Sequence, residues 1–295
     1  MHKKILKPNF LIIGAPKSGT TSLYNYLQQH PDIEFSDIKE PKYFSFKDIN
    51  FDFISNEKAL SQIKKSTVTN LEDYLKLFTN KNAKWIGEAS PNYFHFEPAA
   101  KNIYDFNVEM KLILILRNPI DRLYSDWKHN VRMGFETELN FKKAIKLIDE
   151  RVKTNMLPYH DYLIKGKYAQ HLERYFKYFA RENIKVVFYD DFKKKPSSTC
   201  NEILHFLGIE RNFNFNTEII HMKSSPIIRY PKLKKQIKSL QLISYRVYQF
   251  FEKINTIPEK MSNSNRKFAI NYYRDDILKL EKLLQRELNC WYKKP

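Results

Sequence analysis

The stretch FLIIGAPKSGTTS, Phe10 to Ser22, limits what this chain can fold into more than any other. Phe10 to Ile13 are apolar with strand character, and Gly14, Ala15 and Pro16 break that pattern. Lys17, Ser18, Gly19, Thr20 and Thr21 follow, and Leu23, Tyr24 and Leu27 then repeat at helical spacing. Strand, loop and helix in that order predict a loop that binds an anion. Successive backbone N–H groups and the positive end of the helix converge there, a lysine adds a full charge, and hydroxyls add donors. In the ATP-type loop, G-x-x-x-x-G-K-[ST], the lysine directly follows the second glycine and the next hydroxyl sits on magnesium. Gly14 and Gly19 keep the glycine spacing, but Thr20 stands where that lysine belongs and the loop's only lysine is Lys17. The expected ligand carries phosphate, and ATP is disfavoured.

The same alternation continues downstream. Ile33, Phe35 and Ile38 mark a short extended segment, Trp85 and Ile86 begin a second strand, and Leu112 to Leu116 reads as a strand buried on both faces. Lys185 to Tyr189 is another. Helices are expected over about 98–106, 121–133, 141–148, 166–179 and 196–207, the last stopped by Gly208. Such a pattern predicts an α/β protein, a P-loop-like three-layer fold with a central, mostly parallel sheet flanked by helices. The whole chain, 1–295, reads as one domain. Residues 47–82 are polar and irregular, with one helical stretch around Leu71 to Phe78, and read as an insertion or lid. Residues 210–295 supply a basic loop around Lys223, Ser224, Ser225 and Arg229, then amphipathic helices over about 232–254 and 274–288.

Two further places carry candidate chemistry. Glu40 precedes Pro41, which keeps it out of helical geometry and leaves a loop carboxylate near a strand end, where parallel sheets bind ligands. A solvated surface acid is the competing reading. Arg117 ends the most apolar strand, Pro119 suits a helix N-terminus, and Arg122, Ser125, Asp126 and His129 then lie on adjacent helical turns. This makes a second anion site, or else an Arg–Asp pair at a helix start.

Charge narrows the partners. The chain has 51 Lys and Arg against 33 Asp and Glu, a formal net charge of +18, and such a field draws anions. Cys200 and Cys290 are the only cysteines and form no C-x-x-C, so neither a disulfide framework nor a zinc site is expected and a reducing cytoplasm fits. The histidines form no H-x-H or H-x-x-x-H pair, so no metal is expected. The apolar run after the basic Met1–Lys7 is too short for a signal or a span. Peripheral membrane contact through the helix near 232–254 stays open. A basic nucleic-acid binder is favoured by charge alone, since no recognition motif or stacking platform is present.

Taken together, GAPKSGTTSL, KEPKYF, GEASPNYF and RNPIDRLYSDW resemble the sulfotransferases that use 3′-phosphoadenosine 5′-phosphosulfate (PAPS). The similarity is greatest to the heparan-sulfate-type, carbohydrate branch in a bacterial-type soluble form. It runs from about Phe10 to Gly208 and more loosely beyond. The resemblance implies a sulfuryl transfer that needs no metal and releases 3′-phosphoadenosine 5′-phosphate (PAP). It places the 5′-phosphosulfate loop on Lys17, Ser18, Gly19, Thr20 and Thr21, the 3′-phosphate site on Arg117 and Ser125, and the catalytic base on Glu40, with Lys17 assisting. A late-loop cation that clamps the donor falls on Lys223 or Arg229, although SSPIIRYP replaces the family's usual K-G-R loop. Lys42 stands where the animal glycan enzymes often have histidine. The implied acceptor is a saccharide hydroxyl or amine, with anionic and lipid-linked sugars and non-sugar alcohols left open. A P-loop small-molecule kinase is the rival enzyme.

Overall fold

The structure is a computed structural model that describes residues 6–49, 51, 57–79, 82–153, 161–210, 212–218, 226–229 and 245–292. Five strands form one sheet: β1 (Phe10–Gly14), β2 (Ile33–Phe35), β3 (Trp85–Ala89), β4 (Lys111–Leu116) and β5 (Ile184–Phe188). Their order is β2-β3-β1-β4-β5 and every pairing is parallel, with Leu11 opposite both Glu88 and Leu112. The expected fold class is therefore observed, with a sheet that is wholly parallel.

Alternation along the strands separates two cores. Leu11, Ile13, Leu112, Leu114 and Leu116 face one side, against α2 (Tyr43–Phe46), α5 (Glu97–Phe106), α6 (Pro119–Met133) and α9 (Tyr168–Phe176). Phe10, Ile12, Ile113 and Ile115 face the other, against α1 (Thr20–Leu27) and α11 (Pro196–Phe206). Strands buried on both faces read as continuous apolar runs, which explains why Leu112 to Leu116 was so legible.

The remaining α-helices among the described residues are α3 (Glu57–Ser66), α4 (Leu71–Lys76), α7 (Phe141–Lys146), α8 (Ile148–Lys153), α10 (Tyr189–Lys194), α12 (Tyr245–Asn255) and α13 (Asn263–Leu284). Part of the 47–82 stretch belongs to the main core: Tyr74 and Phe78 are fully buried, and Tyr74 stacks on Tyr43 with ring centroids 4.4 Å apart. α13 begins at Asn263, well before the expected Arg274. Ser262 caps it by accepting from the Asn265 N–H, and Ala269 and Tyr273 extend its buried stripe toward the N-terminus. Of the helix expected over 232–254, the part before Tyr245 lies outside the described residues.

Because all five strands run the same way, their C-terminal ends share one edge. Gly14 leads there into Lys17, Phe35 into Lys39 and Glu40, Ala89 into Ser90, Leu116 into Arg117, and Phe188 into Tyr189. β1 lies between β3 and β4: the chain leaves β1 through α1 for β2 on one side, and crosses from β3 through α5 to β4 on the other. That divergence opens the crevice in which parallel α/β sheets bind ligands.

Candidate active site

The loop after β1 passes twice through left-handed backbone, at Lys17 (φ 65°) and Gly19 (φ 95°). A Cβ on Gly19 would stand 3.0 Å from the Tyr189 ring, so both φ and space call for glycine there. Changes of backbone handedness turn successive N–H groups toward one side and make an anion-binding concavity. No side chain caps α1 at Gly19, which leaves the first amides of the helix to a ligand. Ser18 is fully buried and its hydroxyl makes no well-formed hydrogen bond, although it acts on the buried Tyr168 phenol. Free amides, an orphaned hydroxyl and a lysine fit a phosphosulfate group.

Arg117 closes one side of this loop. Its Nη1 donates to the Lys17 carbonyl at 3.1 Å, and its guanidinium lies over the Tyr189 ring at 4.9 Å, so its orientation is set from two directions. The Lys17 ammonium lies in the field of Asp126, Arg132, Glu40 and Arg117. Burial pushes its pKa down and the two arginines add to that, while Asp126 and Glu40 favour its charge. Ser125 is half-buried on α6 beside Asp126, which places its turn of the helix toward Lys17.

Glu40 approaches from the other side. It sits in left-handed backbone (φ 59°), and its Oε1 lies 3.6 Å from the Lys39 ammonium. Lys39 in turn donates to Thr21 Oγ1 at 2.8 Å, which links the Glu40 turn directly to the phosphate loop. Thr20, 5% exposed, opens α1. The structure thus brings Lys17, Ser18, Gly19, Thr20, Thr21, Glu40, Arg117 and the Ser125 turn to one edge. Of the two late-loop candidates, Lys223 lies outside the described residues. Arg229 donates its backbone N–H to the Asn255 carbonyl at 2.7 Å, and its charge acts on Tyr124, the residue before Ser125.

Several neighbours carried no role in the sequence reading. His129, one turn beyond Ser125, has its pKa pushed down to about 4 by burial and by Lys17, so the imidazole is neutral beside that ammonium. Lys39 and Glu88 lay inside recognised motifs, but sequence spacing gives a position and not a neighbour. Among the described residues, no group of three His, Cys, Asp or Glu side chains is arranged to hold a metal ion. No helix among them is long and apolar enough to cross a membrane.

The family model described as "Sulfotransferase domain" matches residues 7–269. The bifunctional heparan sulfate N-deacetylase/N-sulfotransferase 4 of Mus musculus is 28% identical over 284 residues, which cover 95% of this chain and 30% of that one. Isoenzyme 3 of Homo sapiens is 27% identical over 281 residues, with the same two coverages. This chain therefore spans about a third of the length of those relatives. A solved sulfotransferase from Alicyclobacillus acidocaldarius superposes with a TM-score of 0.75 at 28% identity, covering 98% of this chain and 100% of that one. With a βα phosphate loop, an arginine at the end of β4 and a family match over most of its length, the chain belongs to the sulfotransferase domain family.

Proposed function

We propose that this chain transfers a sulfuryl group from PAPS to a hydroxyl or amine of a saccharide acceptor, with Glu40 as general base. The observation that carries this reading is the convergence on Lys17, where a carboxylate from one strand end and an arginine from another flank a single phosphate loop. The donor supplies an activated sulfuryl group. Glu40 takes the proton from the attacking oxygen or nitrogen as the new bond to sulfur forms. The bond from sulfur to the bridging oxygen breaks, and that oxygen keeps the electron pair. Lys17 balances the charge growing on it, and Thr20, Thr21 and the loop amides hold the 5′-phosphate. Arg117 and Ser125 take the 3′-phosphate, the group that distinguishes this donor from ATP. Arg229 or Lys223 closes the site from the late loop.

The names of the relatives support a saccharide, and the net charge of +18 suits one that is already anionic. A cytoplasmic location belongs to the same proposal and is supported by two unpaired cysteines. The test follows labelled sulfate from PAPS into a panel of N-deacetylated and sulfated polysaccharides, a lipid-linked sugar and simple alcohols, without added metal. Glu40→Gln is expected to keep its affinity for PAP and to lose about 100-fold or more in turnover. Arg117→Ala is expected to weaken PAP binding by about tenfold or more, as loss of a charge-assisted hydrogen bond implies. Full turnover in Glu40→Gln removes Glu40 from the chemistry. Turnover with ATP and magnesium in place of PAPS returns the kinase reading.

A further inference from the structure

The turn that carries Glu40 is strained. Glu40 and Lys42 both have φ 59°, so two non-glycine residues out of three occupy left-handed backbone. Such residues are uncommon and persist only where the surroundings over-determine the backbone. The restraint comes from the GEASPNYF stretch. Ser90 Oγ accepts from the Lys42 N–H at 3.0 Å, and the Tyr93 hydroxyl accepts from the Phe44 N–H at 3.4 Å. The same Tyr93 hydroxyl donates to Glu88 Oε1. Glu88, Ser90 and Tyr93 have no exposed surface, and the Tyr175 hydroxyl fixes the Tyr93 carbonyl from behind at 2.9 Å. Glu88 therefore sets the direction of the Tyr93 hydroxyl, and Tyr93 and Ser90 together grip the backbone just after the candidate base.

We propose that Glu88, Ser90 and Tyr93 are positioning residues that hold the Glu40 turn in the geometry it needs to accept the acceptor's proton. The inference rests on the reading of Glu40 as base. A hydrogen-bonded clamp at the end of β3 fits this task better than packing alone, because it acts on the backbone N–H groups of Lys42 and Phe44, just after Glu40. The Phe44 bond is buried and the Lys42 bond partly so, and without the clamp both N–H groups would lose these partners. Burial also favours the neutral, proton-bearing form of Glu88, which avoids a second negative charge behind Glu40.

The experiment compares Tyr93→Phe, Ser90→Ala, Glu40→Gln and the double variant Glu40→Gln/Tyr93→Phe. PAP release from PAPS is measured with an N-deacetylated polysaccharide and with water alone as acceptor, and PAP affinity and thermal midpoint are recorded for each. Tyr93→Phe and Ser90→Ala are expected to lower kcat by about 10-fold or more, with KM for PAPS and affinity for PAP within about twofold of the original. The double variant is expected to be no slower than Glu40→Gln, since nothing remains to be positioned. Full turnover in Ser90→Ala and Tyr93→Phe, with Glu40→Gln inactive, overturns the clamp. Full turnover in Glu40→Gln overturns the base instead. If Tyr93→Phe fails to bind PAP, the smaller Ser90→Ala change decides alone.

Discussion

Glu88 shows what a residue gains from its surroundings. In sequence it is one acid in a motif, while in the fold it is fully buried at the end of a central strand, where burial above all, with a contribution from Glu40, raises its pKa from 4.5 to about 8. The sign of the consequence follows. Between those two values the native state keeps a proton that the unfolded chain has released, so stability falls as pH rises through that window and levels off above about 8. Glu88→Gln keeps the shape and neutrality of the protonated acid and cannot ionise. Its thermal midpoint, relative to the original protein, is expected to improve from pH 5 to about pH 8 and to change little above that. Parallel curves across that range would mean that Glu88 is already charged in the folded protein. The places of Glu40, Lys17 and Arg117 just beyond strand ends were legible because each stands within two residues of one that fixes backbone shape, namely Pro41, Gly19 and Pro119. Glu88, His129 and Lys39 were seen without roles, because what they do depends on neighbours distant in sequence.

Among the elements, α6 links the site to the core. Arg122 and Asp126 pair one turn apart at 3.1 Å with almost no exposure, and Lys165 lies 3.7 Å from Asp126 and 2.9 Å from Asp161. Burial opposes the charge of Asp126, but Lys165 and Arg122 outweigh it and hold its pKa below the usual value. The Arg122 guanidinium also donates to the Tyr162 carbonyl, which ties α6 to the segment ahead of α9. The sequence placed Arg122 and Asp126 on one helical face but could not show that this face is inside. Charged residues are mostly exposed, and only a partner from another segment, here Lys165, makes their burial tolerable. Asp126→Ala leaves the buried Arg122 without its carboxylate and Lys165 with Asp161 alone, and is expected to cost about 3–5 kcal/mol in denaturant unfolding. Asp105→Ala breaks the exposed pair with Lys101, also one turn apart on a helix, and is expected to leave the denaturant midpoint nearly unchanged. Equal losses would mean that α6 gains nothing from enclosing its charges. Elements with strong apolar periodicity, β4 above all, were readable nearly to the residue. The start of α13 was not, because Asn263, Ser264 and Asn265 are weak helix formers held by a cap and by the buried Tyr273, whose hydroxyl donates to the Leu163 carbonyl at 2.9 Å.

On the scale of the whole molecule, the fold concentrates charge that the sequence only totals. The net charge of +18 was legible from composition, and so was attraction to anions, but not where the field is strongest. The parallel sheet answers that by bringing Lys17, Lys39, Lys42 and Arg117 to one edge, with Arg132 and Lys128 on α6 beside it. Burial lowers the pKa of both Lys17 and Lys42, so these cations stand partly out of water, where an incoming phosphate is screened least. A donor with two phosphate-bearing ends should then be drawn in by long-range attraction and held by short contacts. These two contributions respond differently to salt. The screening length falls from about 10 Å at 0.1 M to about 3 Å at 1 M, which removes steering before it weakens bonds already formed in the loop. Stopped-flow measurement of PAP binding is therefore expected to show an association rate that drops by roughly tenfold or more between 0.05 and 0.5 M NaCl, with a much smaller change in dissociation. In Arg117→Ala the dissociation rate should rise while the salt slope of association stays nearly the same, because one charge among many is lost from the field and one of few from the contact. If association is indifferent to salt, the surplus of lysines serves some other partner than the donor.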